Sequence, residues 1–432
     1  MCDSFVIRPP YTMDGYTLIG KTSDIQVNIG FELKHLLRKS HVPGEILRTT
    51  HITIPQVPTT YEYIRCKYSS VWGCEMGINE YGLAIGDEAQ YTKEMRNEKL
   101  DGIISMDLVR LALERARDCH EAIELITFHL EKYGQGGNVS FAGNSHYDFS
   151  CLMADPHEAW LLETAGRKWV AKKIVNFETL SNCLKISNDW DLSSFNENAE
   201  KFEWNKLFQT KEILPYAEPR QKITYTSIAS RKEKFTVKMG FDILRFHGEG
   251  FNPEYPPQYL DHICLHGYPM PGTGNILHSG SAWVAQLHPE NGCIAWCTAT
   301  SSPCISVFKP VFLGVRNLPA RLDFIPGYIY DENSIWWRHE VLHRKVLADF
   351  KNLMPEIRNE FDVIEQEFLH DAPNLLPASY KQKEEYMEYC FNKSTQAEGD
   401  WIKRLSKHNF YFRNPSYGAM WRRLNNEAGL IE

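Results

Sequence analysis

The sequence predicts an α+β fold, with antiparallel sheet contributed from both ends of one large domain, helices from its middle, and a helical C-terminal extension. Three observations carry this. Short β-rich runs punctuated by Asn, Gly and Pro occupy the chain up to Gly86, and recur from Cys151 to Ile174 and from Ser281 to Leu313. Between the first two groups, apolar residues from Ile103 to Tyr133 recur at helical spacing. Beyond Ser334 the pattern is helical to the end of the chain. Strands grouped in blocks on either side of helices, rather than alternating with them, point to layered antiparallel sheet.

The elements follow in order. Ser4 to Arg8 and Tyr16 to Gly20 are β-rich and flank Met13-Asp14-Gly15, so they read as an N-terminal hairpin. Tyr61 to Cys66 is strand-like, and Met76 to Gly86 is two short strands around an Asn/Gly turn. In the helical stretch a break at Asp118 offers an N-cap and Gly134 closes the end, which gives one long or two consecutive amphipathic helices. Sheet resumes with Cys151 to Ala154, Ala159 to Thr164 and Lys168 to Ile174. Residues 190–260 carry charge and aromatic groups without a strong period, apart from a helix over Val237 to Phe246. Strands return at Ser281 to Leu287, Cys293 to Thr298 and Ile305 to Leu313. These readings divide the chain into a domain over residues 1–325 and a helical extension over residues 326–432.

With 43% hydrophobic and 12% aromatic residues in 432, the chain can bury a sizeable core. A net charge of -8 and a pI near 6.1 give no basic field for nucleic acid, and no Lys/Arg block stands out. Arg8-Pro9-Pro10 interrupts the only apolar run near the N-terminus, and no stretch is apolar for long enough to span a membrane. Eleven cysteines, an odd number without a spaced framework, read as reduced thiols of a cytoplasmic protein. A homo-oligomer is compatible with this composition.

Cys2 stands directly behind Met1. Removing Met1 would give one residue both a thiol and a free α-amine, whose unperturbed pKa of roughly 8 leaves a large share neutral near pH 7. Nucleophile and base would then share a residue. Alone, the pattern is more often that of a small packed cysteine than of a catalyst. The second hairpin strand ends Gly20-Lys21-Thr22-Ser23-Asp24, which adds a cation to favour the thiolate and a carboxylate to orient the amine. A surface ion pair closing a strand would look the same.

Several blocks resemble the secernin and dipeptidase group of N-terminal nucleophile hydrolases. They are Cys2-Asp3-Ser4-Phe5-Val6, Gly20-Lys21-Thr22-Ser23-Asp24, Trp72-Gly73-Cys74-Glu75-Met76-Gly77-Ile78-Asn79-Glu80 and Met106-Asp107-Leu108-Val109-Arg110-Leu111. Tyr133-Gly134-Gln135-Gly136-Gly137-Asn138, Glu158-Ala159-Trp160-Leu161-Leu162-Glu163-Thr164-Ala165-Gly166 and Ser302-Pro303-Cys304-Ile305-Ser306-Val307-Phe308-Lys309-Pro310 continue the series in order. The resemblance implies an αββα sandwich, two antiparallel sheets between helical layers, with the nucleophile at the end of a central strand. It implies a dipeptidase or related amide hydrolase acting on a small peptide or acyl-amide, without a cofactor. Cys2 would be the nucleophile and Asp24 the residue that orients its amine. Lys21 stands where related bile-salt and penicillin-amide hydrolases carry an arginine, and Asn182 resembles the family asparagine near the oxyanion. Asp87, in Gly86-Asp87-Glu88-Ala89, replaces an expected Asn, and a carboxylate there would repel an oxyanion unless protonated or turned away. The family's second catalytic arginine has no matching motif. A secernin-like protein that binds without turnover is the alternative reading.

His339-Glu340-Val341-Leu342-His343 is a literal H-E-x-x-H within a predicted helix, which supplies a third reading as a zinc peptidase. Arg338, Arg344 and Lys345 set positive charge around it, and the segment also resembles a helix that dipeptidase relatives carry with no metal role. His262, Cys264 and His266 alternate, so on a strand they would share one face as ordinary core residues.

Overall fold

Alternation in the first two β-rich runs produces the strands Cys2–Ile7 and Thr17–Gln26, paired antiparallel with Cys2 opposite Ser23, Ser4 opposite Lys21 and Phe5 opposite Gly20. Gly20 is dictated by Phe5, since a Cβ there would lie 2.4 Å from the ring. The structure, a computed structural model, describes residues 1–96, 102–139, 145–196, 200–255, 261–270, 274–407 and 411–430. In it the hairpin is interior to a seven-stranded sheet. Phe177–Leu180 pairs with Cys2–Ile7, and the long strand Ile276–His288 pairs with Thr17–Gln26. Gly292–Cys297 and Lys309–Phe312 continue the sheet, while His266–Pro269 pairs with the start of Ile276–His288. The nucleophile candidate thus opens a strand held on both sides.

The second sheet has eight strands, in the order Leu192–Ser193, Lys168–Lys173, Ala159–Ala165, Asp148–Ala154, Ala84–Gln90, Met76–Asn79, Tyr63–Tyr68 and Phe31–Leu36. Its two faces alternate. Phe149, Cys151 and Met153 pack with the helices Ser105–Arg115 and Cys119–Tyr133, whereas Leu152 and Ala154 join the core that also holds Phe5 and Ile7 of the first sheet. The break expected at Asp118 is present, and its carboxylate accepts the Glu121 N–H at 2.9 Å. Gly134 follows at φ +78°, where a side chain would be strained. Gly73 lets the chain pass the first helix, because a Cβ there would sit 2.1 Å from the Met106 carbonyl carbon.

Helices Leu214–Ala229 and Val237–Leu244 cover the outer face of the first sheet, which completes four layers in the order αββα. This is the expected α+β architecture. The chain beyond Ser334 forms the helices Ile335–Leu347, Phe350–Asp371, Tyr380–Leu405 and Pro415–Glu427. Trp336, Ile357 and Phe361 lie in the same hydrophobic core as Phe5 and Trp296. Each such buried side chain contributes about 1.5–3 kcal/mol, so this extension is docked on the sandwich and not tethered to it. No helix among the described residues is long and apolar enough to cross a membrane.

Among the elements that went unread in the sequence are Phe31–Leu36, Phe177–Leu180 and the helix Leu214–Ala229. The segment from His262 to Leu265 is irregular, so the shared strand face expected for His262, Cys264 and His266 does not exist.

Candidate active site

Cys2 is buried at the open end of its strand, with Sγ 3.5 Å from the Asp24 backbone nitrogen, whose N–H it accepts. Its own N–H donates to Asn182 Oδ1 at 2.9 Å, and its carbonyl accepts from Ser181 Oγ at 3.3 Å. Met1 pairs with Asp24 in both directions, Asp24 N–H to the Met1 carbonyl at 2.9 Å and the Met1 amine to the Asp24 carbonyl at 3.2 Å. A cavity of about 120 Å³ opens beside the thiol. Its walls include Asp24, Tyr68, Glu75, Asp87 and Tyr147.

Strand alternation sorts the charged residues. Lys21 and Ser4 lie on the face toward the second sheet, where Lys21 Nζ donates to the Asp87 carbonyl at 2.5 Å and stands 3.4 Å from Glu88 Oε1. Gly86 makes room for it, since a Cβ there would meet Lys21 Cδ at 2.9 Å. Asp3, Thr22 and Asp24 take the opposite face. There Arg220, fully buried on the helix Leu214–Ala229, donates to Asp24 Oδ2 at 2.7 Å and to Asp3 Oδ2. Ser279 Oγ donates to Asp24 Oδ1 at 2.6 Å, so both carboxylate oxygens of Asp24 are held.

Burial dominates the electrostatics of the cluster. It pushes the Cys2 thiol well above its ordinary value, against the downward pull of Lys21. Burial also raises Glu75 and Glu88 to about 8, Asp3 to about 7 and Asp87 to about 6, with Lys21 opposing the rise at Glu75, Glu88 and Asp87 and Arg220 opposing it at Asp3. For Lys21 itself burial acts downward, but Cys2, Glu88, Glu75 and Asp87 outweigh it and hold the ammonium well above its usual value. The cation under Cys2 is therefore permanent near neutral pH.

All five residues singled out from sequence, Cys2, Lys21, Asp24, Asn182 and Asp87, converge on this end of the sandwich, but two sit differently from expectation. Asp24 does not bond the Cys2 nitrogen. Lys21 and Asp24 are three residues apart on one strand, so they face opposite ways, and the Asp24 carboxylate goes to Arg220 and Ser279. Asn182 takes the place at the nitrogen. Its Oδ1 anchors Cys2 N, and its Nδ2 donates to the Ala89 carbonyl at 2.9 Å, which commits one of the two amide hydrogens.

Arg220, Ser279 and Glu75 were not found from the sequence. Arg220 is masked because the buried stripe of its helix is Ala217, Arg220, Thr224 and Ile228, half of it polar. The Gln135 block, which carried no assigned chemistry, is structural: Gln135 Nε2 donates to Asp148 Oδ1 at 2.8 Å and to the Gly166 carbonyl at 3.1 Å.

The H-E-x-x-H pair does not converge. His339 lies between Glu398 Oε1 and Ser306 Oγ, each at 3.1 Å, whereas His343 Nδ1 is 3.0 Å from Glu340 Oε1 and its Nε2 faces His266. Glu340 is bound by Arg344 at 2.9 Å and by Ser301, so it is no free base. The zinc-peptidase reading is thereby overturned.

Residues 40–163 match the family model of acyl-coenzyme A:6-aminopenicillanic acid acyl-transferase. Among solved structures, a variant of the conjugated bile acid hydrolase from Clostridium perfringens is similar at 12% identity and a TM-score of 0.45, over 75% of this chain and 94% of that one. The penicillin V acylase from Agrobacterium tumefaciens is similar at 12% identity and a TM-score of 0.42, over 72% and 86%. The N-acylethanolamine-hydrolyzing acid amidase ortholog of Caenorhabditis elegans is similar at 10% identity and a TM-score of 0.33, over 66% and 92%.

Proposed function

We propose that this chain is a cysteine-nucleophile amide hydrolase, acting on dipeptides through Cys2 once Met1 is removed. The observation that carries the reading is the setting of Cys2, with its sulfur at a cavity, its nitrogen on Asn182 Oδ1, and Lys21 beside the thiol. After processing, the Cys2 amine takes the thiol proton while sulfur attacks the substrate carbonyl carbon. The amine returns that proton to the leaving nitrogen as the C–N bond breaks, which leaves a thioester. Water then adds to the thioester carbon, the acid departs, and the thiol is restored. Asn182 holds the amine, and the Arg220–Asp24–Ser279 set holds the backbone that donates to Sγ.

Two features support a small peptide with a free amine. Glu75 and Asp87 line the cavity, and Glu75 Oε2 is buried without a hydrogen-bond partner, so an ammonium would find an acceptor there. Met1 packs against Leu265, Tyr268 and Leu277, and its removal would free that apolar surface for a substrate side chain. Met1 is a stand-in for that group.

The test joins intact-mass analysis of the N-terminus to a dipeptide panel with wild type and Cys2→Ala. Processed wild type should turn over at least one substrate and Cys2→Ala none. An active protein that keeps Met1, or an active Cys2→Ala variant, refutes the reading. One observation favours the binding-only alternative: Asp87 is ionised above about pH 6 and would repel an oxyanion. Processed wild type inert on the whole panel at every pH would decide for it.

A further inference from the structure

Away from Cys2, the side chains of His247, Cys264, His266 and Cys304 converge so that one ligand atom from each lies within 4.8 Å of all the others. We propose that these four residues bind a structural zinc ion.

The distances are those of a ligand shell. His266 Nε2 is 3.0 Å from His247 Nε2 and 3.4 Å from both Cys264 Sγ and Cys304 Sγ. With zinc about 2.3 Å from sulfur and 2.0–2.1 Å from nitrogen, a tetrahedron sets N···N near roughly 3.3 Å and N···S near roughly 3.5 Å. The observed separations differ from these by a few tenths of an ångström. Hydrogen bonding at His266 Nε2 accounts for only part of the crowding. A ring nitrogen offers one hydrogen or one lone pair, so His266 Nε2 can satisfy only one of its three neighbours.

Charge and burial agree. Cys264, His266 and Cys304 are buried and His247 is half-buried. Two thiolates neutralise a divalent ion, so a Cys₂His₂ set places no net charge inside the protein, and tetrahedral S₂N₂ geometry selects zinc. All four positions are taken by protein, which marks a structural and not a catalytic centre.

The other nitrogen of His266 is already oriented. Nδ1 is 3.0 Å from His343 Nε2, and His343 Nδ1 is 3.0 Å from Glu340 Oε1, a carboxylate–imidazole chain ending at a ligand. Part of the H-E-x-x-H motif thus serves as outer support to a metal it does not touch. His278, Glu340 and His343 form a second acidic-imidazole group, but Arg344 sits on Glu340 at 2.9 Å and its charge opposes a cation there.

The site joins distant parts of the chain: His247 follows the helix Val237–Leu244, Cys264 and His266 flank Leu265, and Cys304 lies in the short turn Pro303–Ile305. The Leu265 N–H donates to Ser279 Oγ at 2.9 Å, and Ser279 Oγ donates to Asp24 Oδ1 at 2.6 Å. The ion would fix the segment on which Asp24 is positioned.

The experiment is elemental analysis of the purified full-length wild type, joined to Co²⁺ substitution and to hydrogen exchange before and after chelation. The expected result is one zinc ion per chain. The Co²⁺ form should show tetrahedral d–d bands with a thiolate charge-transfer band, and chelation should strip protection from the segment around Leu265. A Cys264→Ser/Cys304→Ser variant should bind neither ion. Should that variant fail to fold, a thiol-specific mercurial applied to wild type tests the same two ligands, with the full zinc content expected to leave once the buried thiols, Cys264 and Cys304 among them, are consumed. Wild type that stays metal-free after incubation with Zn²⁺, a Co²⁺ form without the thiolate band, a Cys264–Cys304 disulfide in protein purified without oxidant, or a double-serine variant that keeps its full metal content would each overturn the proposal. None of these readouts depends on turnover at Cys2.

Discussion

Asp87→Asn separates the charge of this residue from its shape. The carboxyl is buried and raised from an ordinary 3.8 to about 6. Its folded form therefore holds a proton more tightly than its unfolded form, so ionising it in the fold costs stability. That penalty is absent below about pH 4, grows between roughly pH 4 and 6, and is constant above. Two units correspond to about 3 kcal/mol at pH 7.5, which Asn avoids. For a chain of 432 residues, with an unfolding entropy near 0.9 kcal/mol/K, the melting temperature should rise by about 3 °C at pH 7.5 and barely at pH 4.5. Turnover should respond in the same direction. At pH 7.5 only about 3% of a group with a pKa near 6 is protonated, so if the neutral form tolerates the oxyanion, Asn raises kcat/KM up to about 30-fold there. At pH 6 the gain shrinks to about twofold. Scanning calorimetry and kcat/KM across pH 4.5–8 read both effects. A variant destabilised equally at both pH values, or one whose rate relative to wild type is flat with pH, refutes the argument.

Arg220→Met should cost about 3–5 kcal/mol in denaturant unfolding, because it leaves Asp3 and Asp24 buried without their shared cation. Arg220→Lys should recover only part of it, since one ammonium cannot match the two-carboxylate fork. Lys21→Met should slow alkylation of Cys2 by about tenfold or more at fixed pH, because Lys21 is the main group pulling the thiol down. An unchanged alkylation rate would show that the cation does not act on the thiol.

What the sequence revealed was local. The Asp118 cap, the Gly134 stop and the N-terminal hairpin each depend on a few neighbouring residues and were legible for that reason. Cys2 was legible from its position and the blocks around it. The faces of Lys21 and Asp24 could also have been read, because a period of two puts residues three apart on opposite sides. Arg220 could not. Its helix buries Arg and Thr at the spacing where apolar residues are sought, and its partners lie about two hundred positions away in the chain. The metal ligands were hidden for a related reason. Cys264-x-His266 is a two-residue fragment whose partners arrive only through the packing of a helix end and a short turn.

The raised carboxyls around Cys2 act on one another: Asp87 raises Glu75, and Asp3 and Asp87 raise Glu88. Asp3, Asp24, Glu75, Asp87 and Glu88 surround two cations, Lys21 and Arg220, and all are buried. Five ionised carboxyls would leave an uncompensated negative charge, and the rise of Asp3 to about 7 and of Glu75 and Glu88 to about 8 is how burial avoids it. Removing Met1 adds an amine at Cys2, which now carries only an amide N–H on Asn182. As an ammonium it would pull the carboxyls down, and ionised carboxyls would in turn keep it protonated. The amine can act as a base only while its acidic neighbours hold their own protons. Asp87, the lowest of the raised group, is the first to let go. For the hydrolysis proposed above, the pH dependence of the Met1-free protein should therefore report constants that belong to the cluster, and substitution of Glu75 or Asp87 should move the profile although Cys2, the proposed nucleophile, is untouched.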